Sequence, residues 1–211
     1  MSVEQVEVLV EEPSMEAALR VLLPKLVGGL SFEVHSHQGK RDLLARLPDQ
    51  LRGYAAWIPS TWRIVVVVDR DDQDCGELKA ALERVASSAG LSSGSTAIAA
   101  SSVLFRIAIE ELEAWYFGDW QAVRAAYPRV STAVPRQAAY RRPDAISGGT
   151  WEAFERILTG AGYFEGGLRK IEAARAVAGH MVPSRNRSES FCALRDALAA
   201  LARPIPALTP V

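Results

Sequence analysis

The chain of 211 residues has no stretch that approaches the roughly 20 apolar residues of a membrane-spanning helix. Its first residues, MSVEQVE, also lack the basic start of a secretory signal peptide. We therefore expect a protein of the cytoplasm that has no membrane partner.

Cysteine is scarce as well, because Cys75 and Cys192 are the only two in the chain. Two isolated cysteines are too few for a zinc site or a disulfide framework, and we expect both to be packing residues in a reducing compartment. Hydrophobic residues, by contrast, make up 49% of the chain, which is enough to bury a sizeable core. The length suits one large domain, or one domain with a helical extension.

The net charge of −1 hides an asymmetry along the chain. Residues 1–128 carry 12 Lys and Arg against 18 Asp and Glu, whereas residues 129–211 carry 12 against 7. An acidic half that can hold divalent cations, joined to an arginine-rich half that can hold phosphates, suits a metal-dependent enzyme acting on nucleic acid. The alternative is that the arginines lie on ordinary solvated helix faces.

Short apolar runs alternate with helical patterns through the first part of the chain. Strands are predicted at residues 6–10, 32–36, 64–68 and, once or twice, within 96–109. This alternation predicts an α/β fold, with a mostly parallel sheet built from right-handed crossovers and flanked by helices. We predict that residues 1–118 form this α/β catalytic domain and that residues 119–211 form a helical, arginine-rich extension packed on it. Helices of the extension are predicted at residues 122–127, 151–158, 168–180 and 190–201.

Four consecutive valines, residues 65–68, run directly into a cluster of acids: Asp69, Asp71, Asp72 and Asp74. An apolar run without alternation suits a strand that is covered on both faces, and ligand chemistry in such sheets lies at the carboxyl ends of the strands. Clustered carboxylates are also the oxygen ligands that Mg²⁺ prefers. The alternative is an acidic turn in which one or two of these acids cap the following helix.

Acids follow three of the predicted strands, and not only the valine run. Glu11 and Glu12 follow the first strand, and Glu110, Glu111 and Glu113 follow the last. Because the carboxyl ends of parallel strands share one edge of the sheet, we expect these clusters to converge with Asp69 and Asp71. Two or three carboxylates from separate strands can hold one or two Mg²⁺ or Mn²⁺ ions, which polarise a phosphoryl oxygen and activate water.

These motifs resemble the Toprim superfamily, the catalytic domain shared by primases, topoisomerases and several nucleases. The resemblance rests on Glu11 followed by a helix, and on Asp69 and Asp71 after a hydrophobic strand. More narrowly, the chain resembles a bacterial family of unknown function within that superfamily. The segments that carry this narrower likeness are LVEEPS at 9–14, GK at 39–40, DRDDQDC at 69–75, EELEAW at 110–115, GLRKI at 167–171 and NRSESF at 186–191.

The resemblance implies roles for individual residues. Glu11 would be a metal ligand or general acid/base, Asp69 and Asp71 would be the metal ligands of an Asp-x-Asp motif, and Glu111 or Glu113 would supply a further ligand. Glu12 departs from the pattern, because the superfamily usually has glycine at this position, where it tightens the turn.

Basic and hydroxyl residues are candidates for contacts with phosphate. Lys40 begins a predicted helix and can reach a phosphate or lie solvated on the surface. Lys170 can stabilise a leaving phosphate or be an ordinary helix residue. Arg185, Arg187 and Ser188 precede the last helix, where they can hold an anion, although Ser188 can equally cap that helix.

The resemblance implies a Mg²⁺- or Mn²⁺-dependent nuclease, or a related phosphoryl-transfer enzyme, acting on nucleic acid. By analogy with nuclease relatives, we expect a partner ATPase and a setting in defence against phage or plasmids. The alternative is a non-catalytic Toprim-like module that binds nucleic acid or a partner protein. A phosphatase of the haloacid-dehalogenase type is a weaker alternative, because its nucleophile usually follows the first strand, whereas Asp69 follows the third.

Overall fold

The structure is a computed structural model, and it describes residues 2–70, 73–94 and 100–202. The strands in these residues are β1 (Gln5–Val10), β2 (Ser31–Ser36), β3 (Trp62–Asp69) and β4 (Val103–Ala108). The α-helices are α1 (Pro13–Leu26), α2 (Lys40–Trp57), α3 (Cys75–Ser88), α4 (Leu112–Gly118), α5 (Trp120–Ala126), α6 (Thr150–Gly160), α7 (Lys170–His180) and α8 (Glu189–Leu201). None of these helices is long and apolar enough to span a membrane.

The described strands form one parallel sheet in the order β2-β1-β3-β4. The predicted α/β fold, with a parallel sheet flanked by helices and a helical C-terminal part, is confirmed. Within the predicted region 96–109 the structure shows β4, while residues 95–99 lie outside the described part. Strand β1 lies between β2 and β3, and Val10 is opposite Val67, so the carboxyl ends of β1 and β3 are adjacent.

Strand β3 is buried on both faces, which explains its unbroken apolar sequence. Val65 and Val67 face the larger of two hydrophobic cores, which is completed by α1 and by the helices from α4 to α8. Ile64, Val66 and Val68 face the smaller core, which α2 and α3 cover. Because successive side chains of a strand point to opposite faces, one run of apolar residues serves both cores.

The C-terminal helices pack on the same side of the sheet as α1. Helix α7 contacts both α1 and α5, and α8 contacts β4. Lys25, in the last turn of α1, donates to the carbonyl oxygens of Ala178 and Gly179 at 2.9 Å each and of Met181 at 3.1 Å. These carbonyls lie at the C-terminus of α7, where a cation is favoured, so Lys25 joins the two helices.

Asp119 lies between α4 and α5, and its buried carboxylate fastens a distant loop to this junction. It accepts hydrogen bonds from the Val182 amide at 2.9 Å and from Arg185 Nε at 2.7 Å and Nη2 at 2.9 Å. Since the Asp119 side chain is fully buried, these donors satisfy a charge that would otherwise be costly to bury.

Asp119→Ala should lower the free energy of unfolding by about 3 kcal/mol, because it leaves the Arg185 guanidinium and the Val182 amide without their buried partner. Urea unfolding followed by circular dichroism measures the change. Asp196→Ala is the matched control, since this exposed carboxylate pairs with the neighbouring Arg195, and surface ion pairs contribute about 0–1 kcal/mol. A loss for Asp119→Ala no larger than that of the control would contradict the assigned role.

Candidate active site

Glu11 and Asp69 lie side by side at the carboxyl edge of the sheet. Glu11 follows the last residue of β1, and Asp69 ends β3, the neighbouring strand. The Asp69 amide donates to Glu11 Oε1 over 2.7 Å, and both residues are buried. Two acids far apart in the sequence therefore meet where adjacent parallel strands end.

Lys40 approaches this edge from the start of α2. Its Nζ donates to the carbonyl oxygens of Asp69 at 2.6 Å and of Arg70 at 3.1 Å. The preceding Gly39 has a φ of +96°, a conformation that favours glycine, and its amide donates to the Glu11 carbonyl over 2.8 Å. Lys40, a predicted phosphate contact, thus places its ammonium on the end of the strand that carries Asp69.

Glu12 stands where the resemblance predicts a glycine. Its φ of −140° and ψ of 159° are ordinary extended values, so the turn does not require glycine here. Glu12 Oε1 accepts a hydrogen bond from Ser14 Oγ at 2.5 Å and lies 3.9 Å from Lys170 Nζ. The departure therefore causes no backbone strain, and it adds a carboxylate next to Glu11.

A second group of charges is centred on Glu113, in the first turn of α4. Glu113 is 2% exposed. Burial raises its pKa to about 7, while nearby Lys170 lowers it and the carboxylates of Glu111 and Glu12 raise it. Lys170 Nζ also lies 5.0 Å from the centre of the Trp151 ring. Lys170 is thus the cation of a cluster that contains Glu12 and Glu113.

Tyr116 is a site residue that is not among the candidates predicted from the sequence. It lies three residues after Glu113 on α4, it is 1% exposed, and its hydroxyl has no hydrogen-bond partner among the described residues. Burial raises the pKa of Tyr116 well above its usual value, and the carboxylates of Glu113, Glu12 and Asp69 raise it further. The hydroxyl therefore stays protonated among acids of both groups. The three-residue spacing from Glu113, which places both on one helix face, is the sequence signal for it.

Glu111 and Ser188, two further predicted site residues, hold the starts of helices. Glu111 Oε2 accepts from Thr150 Oγ1 at 3.0 Å and from the Trp151 amide at 2.9 Å, at the beginning of α6. Ser188 is the N-cap of α8, and its hydroxyl accepts from the Phe191 amide. For Ser188 the structure shows the capping contact that the sequence left open.

The predicted arginines differ in their surroundings. Arg185 is held by the buried carboxylate of Asp119. Arg187 is exposed, and its guanidinium makes no hydrogen bond or ion pair within the part of the chain that the structure describes. Of the two, Arg187 is therefore the one whose charge is available to a ligand.

The predicted Mg²⁺ or Mn²⁺ site is described only in part, because Asp71 lies outside the described residues. Within residues 2–70, 73–94 and 100–202, no three His, Cys, Asp or Glu side chains form a group that could hold a metal ion. The pair that does meet, Glu11 and Asp69, consists of carboxylates. Mg²⁺ is usually held by one or two carboxylates together with waters and substrate phosphates, so this donor set fits the ion.

A family model described as a domain of unknown function, DUF4276, matches residues 10–199. The match covers most of the 211 residues, so the chain belongs to this family. It includes every predicted site residue from Glu11 to Ser188. Comparisons with curated proteins and with solved structures found no match.

Glu113→Gln should change how the stability of the fold depends on pH. The pKa of Glu113 rises from an ordinary 4.5 to about 7 on folding. A raised carboxyl pKa contributes stability that is present below the unfolded value and is lost as pH rises through the folded value. The melting temperature of the variant, relative to the wild type, should therefore rise between about pH 4.5 and pH 7, by an amount equivalent to about 3 kcal/mol.

Thermal unfolding in buffers that contain EDTA measures this difference without a contribution from bound metal. Glu165→Gln is the control, because Glu165 is exposed in the loop before α7. A difference between Glu113→Gln and the wild type that stays constant with pH would contradict the buried, protonated state of Glu113.

Proposed function

We propose that this chain is a Mg²⁺- or Mn²⁺-dependent nuclease that hydrolyses phosphodiester bonds in nucleic acid. The observation that carries the proposal is the meeting of Glu11 and Asp69 on adjacent strand ends, with the Asp69 amide 2.7 Å from Glu11 Oε1. Both side chains are acidic, and carboxylates that share one site repel one another unless a hard divalent cation relieves that repulsion. If Glu11 only held the end of β3 through the Asp69 amide, the Glu11 carboxylate would suffice and the Asp69 carboxylate would not be needed.

In this proposal Glu11, Asp69 and Asp71 hold the metal ion. The chemistry that the ion supplies when bound is polarisation of a phosphoryl oxygen and activation of water. Lys170 lies 3.9 Å from Glu12 and beside Glu113. Its positive charge offsets the negative charge of these acids and of a phosphate that enters the site. Lys40 keeps the end of β3 in place through the carbonyl oxygens of Asp69 and Arg70.

The Toprim resemblance supports the nuclease reading, and the parallel α/β sheet is consistent with a Toprim-like arrangement. By analogy with nuclease relatives that work beside an ATPase, the proposal includes a partner ATPase and a role in defence against phage or plasmids. The matched family has no assigned function, so these points rest on the resemblance alone.

A non-catalytic module that binds nucleic acid is the second candidate, and one observation favours it. Glu111, a predicted metal ligand, has its Oε2 engaged by Thr150 and the Trp151 amide at the start of α6. A carboxylate that accepts two structural hydrogen bonds is less available to a metal. The two candidates differ in whether Glu11 and Asp69 are needed for turnover.

Mg²⁺ or Mn²⁺ should raise the melting temperature of the wild type, because an ion that binds the native state adds about 2.7 kcal/mol of stability at about 100 times its Kd. Asp69→Asn and Glu11→Gln should each lose more than half of this rise, since each removes a charged ligand. Thermal unfolding with and without metal measures it. Asp49→Asn is the matched control, because Asp49 is an exposed acid on α2. An equal rise in the wild type and all variants would place the ion elsewhere.

Asp69→Ala should lower the rate of nucleic-acid cleavage by at least about 100-fold, because metal-assisted catalysis contributes several kcal/mol to the barrier. Binding of the substrate should remain largely intact. Lys170→Ala should also slow cleavage, whereas Lys79→Ala, an exposed lysine on α3, should leave it unchanged.

Cleavage assays on labelled DNA and RNA, each single- and double-stranded, test this with Mn²⁺ and the ATPase of any neighbouring gene supplied. Absence of cleavage on all of these substrates would overturn the proposed nuclease. Binding retained without cleavage would then support the non-catalytic module.

A further inference from the structure

Two cavities are lined by arginines that come mostly from residues 129–211. The inner cavity has a volume of about 440 Å³, and the arginines that line it are Arg70, Arg141, Arg142 and Arg187. The outer cavity has a volume of about 490 Å³, and its arginines are Arg124, Arg136, Arg185 and Arg187. Four guanidiniums in each cavity concentrate positive charge far more than the modest excess of this half of the chain would suggest.

The inner and outer cavities adjoin each other, because Arg187 lines both. A second link crosses between them, where Arg141 Nη2 donates to the carbonyl oxygen of Arg136 over 3.4 Å. The two cavities are therefore neighbours that share Arg187, and we call them together the arginine groove.

Arg187 is exposed, but the backbone that carries it is held rigidly. Its amide donates to the Gly118 carbonyl over 3.0 Å, and its neighbour Asn186 donates from Nδ2 to the Trp115 carbonyl over 2.8 Å. A Cβ on Gly118 would lie 2.0 Å from Asn186 Oδ1 and 2.8 Å from the Ser188 amide, so only glycine permits this approach. The fold thus fixes the backbone position of a residue whose guanidinium has no partner in the described residues.

The acids beside the arginine groove are mostly engaged elsewhere. Asp144 accepts from Ser188 Oγ at 2.8 Å, Ser190 Oγ at 2.6 Å and the Glu189 amide at 2.7 Å, which holds it at the start of α8. Asp119 is paired with Arg185. Glu189 also lines the inner cavity, as an exposed carboxylate.

Several of the arginines, in contrast, have no acid to neutralise them. Within the described part of the chain, the side chains of Arg124, Arg142 and Arg187 make no hydrogen bond or ion pair. Three unneutralised guanidiniums along one groove repel one another, and an external anion would relieve that repulsion.

The inner end of the arginine groove lies next to the strand end that carries Asp69, because Arg70 lines it. Arg70 directly follows Asp69, and its guanidinium is paired with Glu110. Ile109, just after β4, lines the same cavity. Glu110 has a φ of +66°, a left-handed conformation that costs a residue other than glycine about 1 kcal/mol or more. Strain of this kind next to the acidic edge is typical of functional sites.

We propose that the arginine groove binds the phosphate backbone of a nucleic-acid strand and leads it to the acidic edge formed by Glu11 and Asp69. This rests on the proposed function, which supplies the reaction at that edge. Guanidinium forks match phosphate oxygens, and two cavities that share Arg187 suit successive phosphates better than a single anion. Trp120, which lines the outer cavity, is buried, so binding depends on phosphates and is independent of base sequence.

The test measures binding of a fluorescein-labelled single-stranded oligonucleotide by fluorescence anisotropy, in EDTA, so that no metal contributes. The double variant Arg142→Ala with Arg187→Ala should weaken binding at least about 10-fold, and should reduce the slope of log affinity against log salt by about 1.4, since each phosphate contact on a single strand contributes about 0.7. The control carries Arg46→Ala and Arg84→Ala, on α2 and α3 at the opposite face of the sheet, and should match the wild type. Melting temperatures of both doubles establish that they fold.

Unchanged affinity and salt slope in the Arg142 and Arg187 double variant would overturn the groove, even if Asp69→Ala had abolished cleavage. Weakened binding by this double variant would support the arginine groove, even if no cleavage were found and the nuclease proposal had failed. Poly-glutamate of the same net charge as the oligonucleotide is the competitor, and it represents an acidic protein partner. Displacement of the oligonucleotide by poly-glutamate at equal charge concentration would overturn nucleic acid as the occupant, and failure to displace it would support nucleic acid.

Discussion

The parallel pairing of β1 with β3, closed at its end by the hydrogen bond from the Asp69 amide to Glu11, is the constraint on which the candidate site depends. The valines of β3 do not fix this register by themselves, because a slip of one residue would place another valine against each core. The polar residues at the strand ends mark it, since Glu11 and Asp69 follow the apolar runs of β1 and β3. Once the register is set, Glu11 and Asp69 must end side by side. The loop before α2 then follows, since Gly39 donates to the Glu11 carbonyl and Lys40 donates to the carbonyl oxygens at the end of β3.

Buried or half-buried carboxylates join the C-terminal helices to one another and to the segment that follows β4. Asp119 holds the loop before α8, Asp144 holds the start of α8, and Glu111 holds the start of α6. Each accepts at least one backbone amide, and a carboxylate near the start of a helix is favoured by the amides exposed there. The acids of the described residues therefore include two populations. One population joins segments of the fold, and the other lies where β1 and β3 end.

The strands and the Glu11–Asp69 pair could be predicted because their signals are local. A run of apolar residues predicts a buried strand, and the rule that parallel strands end at one edge brings the acids together. The different roles of Arg185 and Arg187 could not be predicted, because the local sequence does not distinguish two arginines that are two residues apart. Arg185 is neutralised by an acid 66 positions away, and Arg187 is not. Tyr116 is a similar case, because its apolar ring predicts core packing, whereas the surroundings of its hydroxyl also depend on Glu12 and Asp69, acids from two other segments.

The sequence by itself determined the order of strands and helices, the burial of β3 on both faces and the separation of acidic from basic halves, because hydrophobic periodicity and composition act over short distances along the chain. Only the tertiary structure decided which charged residues neutralise one another and which remain available to a ligand. The physical reason is that an ion pair or hydrogen bond forms within a few ångströms, so its existence depends on where distant loops pass. Glu111 and Glu113 show this clearly: one receives the start of α6, and the other is buried beside Lys170.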